Sequence, residues 1–263
     1  MTGPTEEAAR EPVVTLRQPS EGVALITLQD RAHKNTFTEE LIDGLVDAFR
    51  TVSAAEEYRV VVLTGYGNYF ATGGTQRDLI AIQEGRMAFT AADTGEVASG
   101  TYSLPLDCPV PVIAAMQGHA VGGGLCMGLF SDFVILATES VYTASFMKYG
   151  FTPGFGATLV LREKLGGPLA HEFLVTARTY RGADLARRGV PFEVVPRREV
   201  LDRALDLARL VAEKPRLSLV TLKDHMVADL RARLPQVIEQ ELAMHEVTFH
   251  QPEVRERILG LYG

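Results

Sequence analysis

Two segments of this 263-residue chain share one design: an aliphatic run feeds into clustered glycines and then into a helix-like stretch. The first reads LTGYGNYFATGG and ends at Gly74; the second reads AAMQGHAVGGG and ends at Gly124. Backbone N–H groups at the start of a helix lack carbonyl partners, and the helix dipole makes them a site for an anion or a developing oxyanion. Glycine lets a substrate approach the backbone closely and permits positive φ. Two such amides converging on one carbonyl oxygen form an oxyanion hole, worth about 3 kcal/mol of transition-state stabilisation per donor. Taken singly, each loop is better explained by tight turns and close helix–sheet contact. Neither is a phosphate loop: there is no GxxxxGK[ST], and Gly118, Gly122, Gly123 and Gly124 do not form a dinucleotide fingerprint.

Side chains able to move protons or pair with anions are few near these loops. Of six histidines, His119 lies beside the second loop, where a histidine often only bonds the backbone. His245 shares a helical face with Glu241 and Phe249, each four residues away. Residues 65 to 147 contain no lysine, and Arg77 and Arg86 are their only guanidinium groups. Either suits a carboxylate geometrically, and either suits solvent. Arg31, His33 and Lys34 form a small basic cluster, while Tyr66, Tyr69 and Tyr142 could line a pocket or cap the core with a wet hydroxyl.

The elements holding these residues can be read from periodicity. Strands are expected at Val13 to Arg17 and Val23 to Leu28, joined by a hairpin turn, at Val60 to Leu63, Pro111 to Met116, Asp132 to Ala137 and Phe192 to Val195. Leu41, Leu45 and Phe49 mark a helix, with Thr36 and Glu39 at capping-box spacing. Residues 90 to 101 read as a mobile insertion, and residues 1 to 12 as a disordered tail. From about residue 157 the pattern is helical, over 157 to 177, 182 to 188, 198 to 213, 216 to 230 and 233 to 249. Alternating strands and helices followed by helices alone imply an α/β core, residues 13–200, with a mostly parallel sheet, and a helical region, 201–263, suited to packing on a neighbouring subunit.

Composition limits the function. With 33 acidic and 26 basic side chains the net charge is -7, which argues against general nucleic-acid binding. Cys108 and Cys126 have neither disulfide-framework nor metal-ligand spacing, so no metal is expected. No leader-like segment or membrane span is read, and the expected location is cytoplasmic.

Nearly the whole chain, from about Val13 onward, resembles the crotonase, or enoyl-CoA hydratase/isomerase, superfamily. The resemblance rests on DRAHKNTFTEEL, YFATGG, PVIAAMQGHAVGGG, SDFVILATES and GFTPGFGATLVL. It implies a crotonase-like ββα spiral, a C-terminal helical trimerisation region, a homotrimer or dimer of trimers, and a thioester substrate on a pantetheine arm. The oxyanion hole would be the N–H groups of Gly74 and Gly123, beside Gly73, with Arg31 and Lys34 near the carrier end of the arm. The two glutamates of the hydratases fall on Cys126 and Phe146. Without both carboxylates, hydration loses its base and acid; Cys126 then reads as a core residue and Phe146 as packing for the acyl chain.

The strings ESVYTASFMKYGFTPGFGAT, YRGADLARRGVPFEVVPR and IEQELAMHEVTFHQPEVRERILGLYG look very similar to a narrower family, the second enoyl-CoA hydratase-like enzymes of polyketide β-branching cassettes. That resemblance implies decarboxylation of a 3-methylglutaconyl-type thioester on the phosphopantetheine of an acyl carrier protein, with no cofactor of the enzyme's own. It puts the proton-handling histidine at His245. It also implies a lysine after the first glycine loop, absent here, with Arg77 or Arg86 as substitutes. Two alternatives remain: a double-bond isomerase, and a catalytically silent scaffold that binds a carrier protein.

Overall fold

The computed structural model describes residues 11–87 and 100–262. The expected tail up to residue 10 and most of the expected insertion lie outside these residues. The chain opens with a hairpin, β1 (Val14–Ser20) and β2 (Val23–Leu28), followed by α1 (Glu39–Ala54). Three turns of one motif follow, each with two strands and then helix. They are β3 (Val60–Thr64), β4 (Tyr69–Ala71) and α2 (Gln76–Gln83); then, after α3 (Leu104–Asp107), β5 (Val112–Met116), β6 (His119–Val121) and α4 (Gly123–Leu129); then β7 (Phe133–Ala137), β8 (Val141–Thr143) and α5 (Ala157–Leu165). The chain continues through α6 (Gly167–Thr176), β9 (Tyr180–Arg181), α7 (Gly182–Arg187), β10 (Glu193–Val195), α8 (Arg197–Ala212), α9 (Arg216–Thr248) and α10 (Pro252–Leu261).

The first strand of each turn joins a six-stranded sheet of order β1-β2-β3-β5-β7-β10, parallel throughout except for the hairpin. The second joins a four-stranded sheet of order β4-β6-β8-β9. This is the ββα spiral. The large sheet is buried on both faces, which is why β3 and β5 are continuous aliphatic runs. One face meets α8, whose Val200, Ala204, Ala208 and Ala212 recur every four residues against Val60, Val62 and Ile113. Part of the region expected to pack on a neighbour thus packs on its own sheet.

Several boundaries differ from the sequence expectation. The small sheet was not anticipated, because strands of two or three residues are too short to show a period, and two of them sit inside the glycine loops. Thr38, not Thr36, caps α1, accepting from the Leu41 N–H at 3.3 Å; Thr36 instead bridges to Gly73. The helix expected over 157 to 177 breaks at Gly166, where φ is +75°. Conversely, residues 216 to 248 form one helix running through Pro235. An interior proline costs about 3 kcal/mol, but Lys223, Leu234, Glu241 and His245 anchor one face of α9 in the core on both sides of it. The helix α10 had no expectation.

Candidate active site

The spiral places both glycine loops at one end of the small sheet. Strands β4 and β6 are parallel neighbours, with Ala71 beside Ala120, so the chain leaving each emerges side by side. Their contact is backbone to backbone. A Cβ on Gly73 would lie 3.2 Å from the Gly123 nitrogen and 2.9 Å from the Val121 carbonyl, and Gly73 has φ +75°. A Cβ on Gly124 would lie 2.2 Å from the Ala71 carbonyl. Gly123 opens α4, where an amide has no carbonyl one turn behind it. Gly74 precedes Thr75, the cap of α2. Neither Gly74 nor Gly123 donates its N–H in any loop or cap hydrogen bond seen among the described residues.

The first loop is tied from several sides. Buried Asn35 donates to the carbonyls of Leu28 and Phe70 and accepts from the Asp30 N–H, locking the 30–36 loop to β4. Thr72 N–H donates to the Asn35 carbonyl at 3.1 Å, and Phe37 N–H to the Gly73 carbonyl at 2.7 Å. The Tyr262 hydroxyl donates to the Gly74 carbonyl at 2.6 Å.

Gly73, Gly74 and Gly123 face a cavity of about 380 Å³, counting its open mouth. Phe146, Phe151 and Phe155 form an aromatic wall, with Phe146 stacked on Phe155 at 6.3 Å and 29° and meeting Phe151 edge-on at 6.2 Å. Hydroxyls come from Thr72, Ser145, Tyr149 and Tyr262; no charged side chain of the described residues lines the space. Phe155 holds φ +62°, a strained value for a bulky residue. Glu241 over-determines it: its carboxylate accepts from Gly156 N–H, Thr158 N–H and the Thr158 hydroxyl at 2.8, 2.8 and 2.6 Å, binding the first turn of α5. Burial raises the Glu241 carboxyl pKa against these bonds.

Of the expected site residues, the structure brings together Gly73, Gly74, Gly123 and Phe146. Arg31 and Lys34 are exposed on the loop bonded to that of Gly73, over the rings of Tyr66 and Tyr69 at 5.1 and 5.9 Å; the Lys34 carbonyl accepts from the Thr72 hydroxyl at 2.9 Å. Arg77 and Arg86 are corrected. The Arg77 side chain is 91% exposed and pairs with Asp78, while Arg86 is exposed and pairs with Glu84. Arg77 lies in the first turn of α2 and Arg86 beyond its end. His245 lies one ring behind the cavity: it is buried, its Nε2 donates to the Thr152 carbonyl at 2.8 Å, and it stands edge-on to Phe151 at 6.0 Å. Burial lowers its pKa, keeping the imidazole neutral.

Cys126 is fully buried on α4 and absent from the lining, and desolvation pushes its thiol pKa well up, so it is a core residue. Tyr142 caps the core, donating to the Met116 carbonyl and accepting from the Ala137 N–H. His119 accepts from the Val141 N–H at 3.1 Å. Sequence reasoning missed Ser145, Tyr149, Phe151, Phe155 and Tyr262. The glycines of GFTPGFG, a third cluster before a helix, signalled the middle of this set; nothing local signalled Tyr262, 188 residues from Gly74.

A ββα spiral in which two strand–glycine–helix turns meet at a cavity walled by phenyl rings defines a crotonase-fold enzyme, and the enoyl-CoA hydratase/isomerase family pattern matches residues 18–262. The chain belongs to that family. It is 59% identical over 251 residues to the bacillaene synthase decarboxylase PksI of Bacillus subtilis (strain 168), covering 95% of this chain and 98% of that one. A solved structure from a dehydratase/decarboxylase enzyme couple involved in polyketide β-branching superposes with TM-score 0.90 at 59% identity, over 95% of this chain and 99% of that one. The ECH2 decarboxylase domain of CurF from Lyngbya majuscula superposes with TM-score 0.89 at 46% identity, over 94% and 98%. Within its family the chain therefore stands with the β-branching decarboxylases.

Proposed function

We propose that this chain decarboxylates a 3-methylglutaconyl-type acyl thioester carried on an acyl carrier protein during polyketide β-branching. The observation that supports this reading best is the pairing of two converging glycine loops with an aromatic wall that has no hydratase carboxylates. The thioester oxygen sits between the Gly74 and Gly123 N–H groups. The bond to the substrate carboxylate breaks, carbon dioxide leaves, and the electron pair spreads through the alkene onto the thioester oxygen as a dienolate. Negative charge thus leaves a carboxylate held among phenyl rings and arrives at an oxygen held by two fixed dipoles, so stabilisation is greater in the transition state than in the ground state. A proton from solvent completes the product: His245 passes it to carbon, gaining one at its ring as it gives one up, which requires Phe151 to turn aside.

The phosphopantetheine arm enters past the loop of Arg31 and Lys34, and the enzyme supplies no cofactor of its own. Assembly as a homotrimer or dimer of trimers is supported by the apolar side chains that α9 leaves exposed, Leu217, Leu222 and Met226 among them. No helix of the described residues is long and apolar enough to cross a membrane.

Mass spectrometry of a 3-methylglutaconyl-loaded carrier protein tests the proposal: loss of carbon dioxide on incubation with enzyme is expected. An unchanged mass sinks it. Deuterium exchange at the α or γ carbon without mass loss identifies an isomerase instead, and unchanged pathway output with His245→Ala identifies a scaffold.

A further inference from the structure

Gly73 and Gly74 form a consecutive pair with no side chain to fix either peptide plane, and glycine has the most backbone freedom to lose. A donor acts as a preorganised dipole only if it is held before charge develops. The carbonyl of Gly73 is held by the Phe37 N–H. The carbonyl of Gly74 is held by a group from the far end of the fold, the hydroxyl of Tyr262.

That hydroxyl is positioned with care. The Tyr262 ring stacks on Tyr149 at 6.2 Å and 29°, and both line the cavity. Helix α10 lies against α2, the helix that the Gly74 loop opens, and the Gln76 side chain donates to the Ile258 carbonyl at 3.3 Å. On its other side, Lys148 donates to the Leu261 carbonyl at 3.1 Å. Burial pushes the Tyr262 pKa up to about 12, so the hydroxyl keeps its proton and remains a donor at any working pH.

We infer that Tyr262 is a positioning residue for catalysis: the Phe37 bond to the Gly73 carbonyl holds the peptide plane that carries the Gly74 N–H, the Tyr262 bond to the Gly74 carbonyl holds the next plane, and the two together pin the glycine α-carbon between them and so the aim of that N–H at the thioester oxygen. The inference rests on the oxyanion-hole reading above. It makes α10 part of the reacting site, although no atom of that helix needs to touch the acyl group.

The test uses the whole chain and 3-methylcrotonyl-pantetheine, the decarboxylated product thioester, labelled with carbon-13 at the thioester carbonyl. Difference infrared spectroscopy reads the carbonyl stretch on binding, and steady-state decarboxylation is measured alongside. In the wild type the stretch moves to lower frequency. Tyr262→Phe keeps the stacked ring and removes only the hydroxyl; it is expected to lose part of that shift and to lower kcat about tenfold with KM within about twofold, short of the roughly 100-fold or more that follows loss of a donor itself. Arg255→Ala, which cuts an exposed contact of α10 with Glu84 away from the cavity, is expected to keep the shift and the rate. A Tyr262→Phe enzyme with the wild-type band overturns the inference, whatever its rate. A wild-type enzyme that leaves the band unshifted overturns the oxyanion-hole reading itself, which separates the two failures.

Discussion

Replacing Gly73 by alanine tests the convergence of the two loops most directly. The residue has φ +75°, and its new methyl would lie 2.9 Å from the Val121 carbonyl and 3.2 Å from the Gly123 nitrogen. Left-handed backbone costs a non-glycine residue about 1–2 kcal/mol. For a chain of this size each kcal/mol is worth about 2–4 °C, so the melting temperature should fall by roughly 2–8 °C. Activity should fall much further. The neighbours at 2.9 and 3.2 Å are backbone atoms, so the loops must separate, and the Gly74 and Gly123 amides can no longer meet at one oxygen. Losing one such donor costs about 100- to 1,000-fold in kcat, or roughly 2.7–4 kcal/mol. Gly67→Ala is the matched control: φ is +48° there, but nothing lies within 4 Å of the added methyl. Decarboxylation of a loaded carrier protein and thermal unfolding by circular dichroism are measured on both variants. Gly67→Ala should show the left-handed cost alone with activity kept, and Gly73→Ala a stability loss at least as large together with the loss of activity; equal activities in the two would refute the argument that the loops act as a pair.

Three further expectations follow from the same geometry. Phe146→Leu opens the aromatic wall, and since one methylene in an apolar pocket is worth about 10- to 200-fold, competition between thioesters of different chain length should show kcat/KM shifting at least tenfold toward the longer one. Arg77→Ala should leave kcat/KM within about twofold, because the side chain is solvated and its pair with Asp78 is a surface contact; a loss above tenfold would return Arg77 to the site. His245 has its pKa lowered by burial from an ordinary 6.5. Its native state binds fewer protons than the unfolded chain just below that value, so the stability it lends is present above pH 6.5 and lost as pH falls through the window beneath. The raised Glu241 carboxyl works in the opposite direction but is common to both proteins. The melting temperature of His245→Asn should therefore fall less than that of the wild type between pH 7 and pH 5, and parallel curves would contradict the assignment.

The sequence made the large sheet legible because its central strands are buried on both faces and read as unbroken aliphatic runs, as Val60 to Leu63 does. It hid the small sheet, whose strands are shorter than two periods and are embedded in glycine-rich text. The glycine loops were found as anion-binding candidates by local pattern alone, but their convergence is a property of β4 lying beside β6, which no local pattern records. The arginines failed for the complementary reason: Arg77 and Arg86 were chosen for charge and proximity in sequence, which do not record that Arg77 faces solvent from α2 and that Arg86, beyond its end, turns back to Glu84. Phe151 and Phe155 come from GFTPGFG, whose glycines were a local signal, whereas Tyr262 reaches the cavity from a segment whose own composition suggests only packing. Pro235 misled because propensity counts the missing hydrogen bond and not the anchors on either side of it.

The two donors proposed for this site have no side chains, and that changes what mutation can do to them. An alanine scan deletes atoms beyond Cβ and so has nothing to remove at Gly74 or Gly123; it can only add. Codon changes at these positions act by obstruction, and every residue still contributes an N–H except proline. The proposed hole is therefore set by chain topology, whereas Cys126 and Phe146 stand where the resemblance to the hydratases puts carboxylates. A lineage built on this plan can discard one reaction's acid and base and keep the device that tolerates an enolate, so new chemistry starts from a partly finished catalyst.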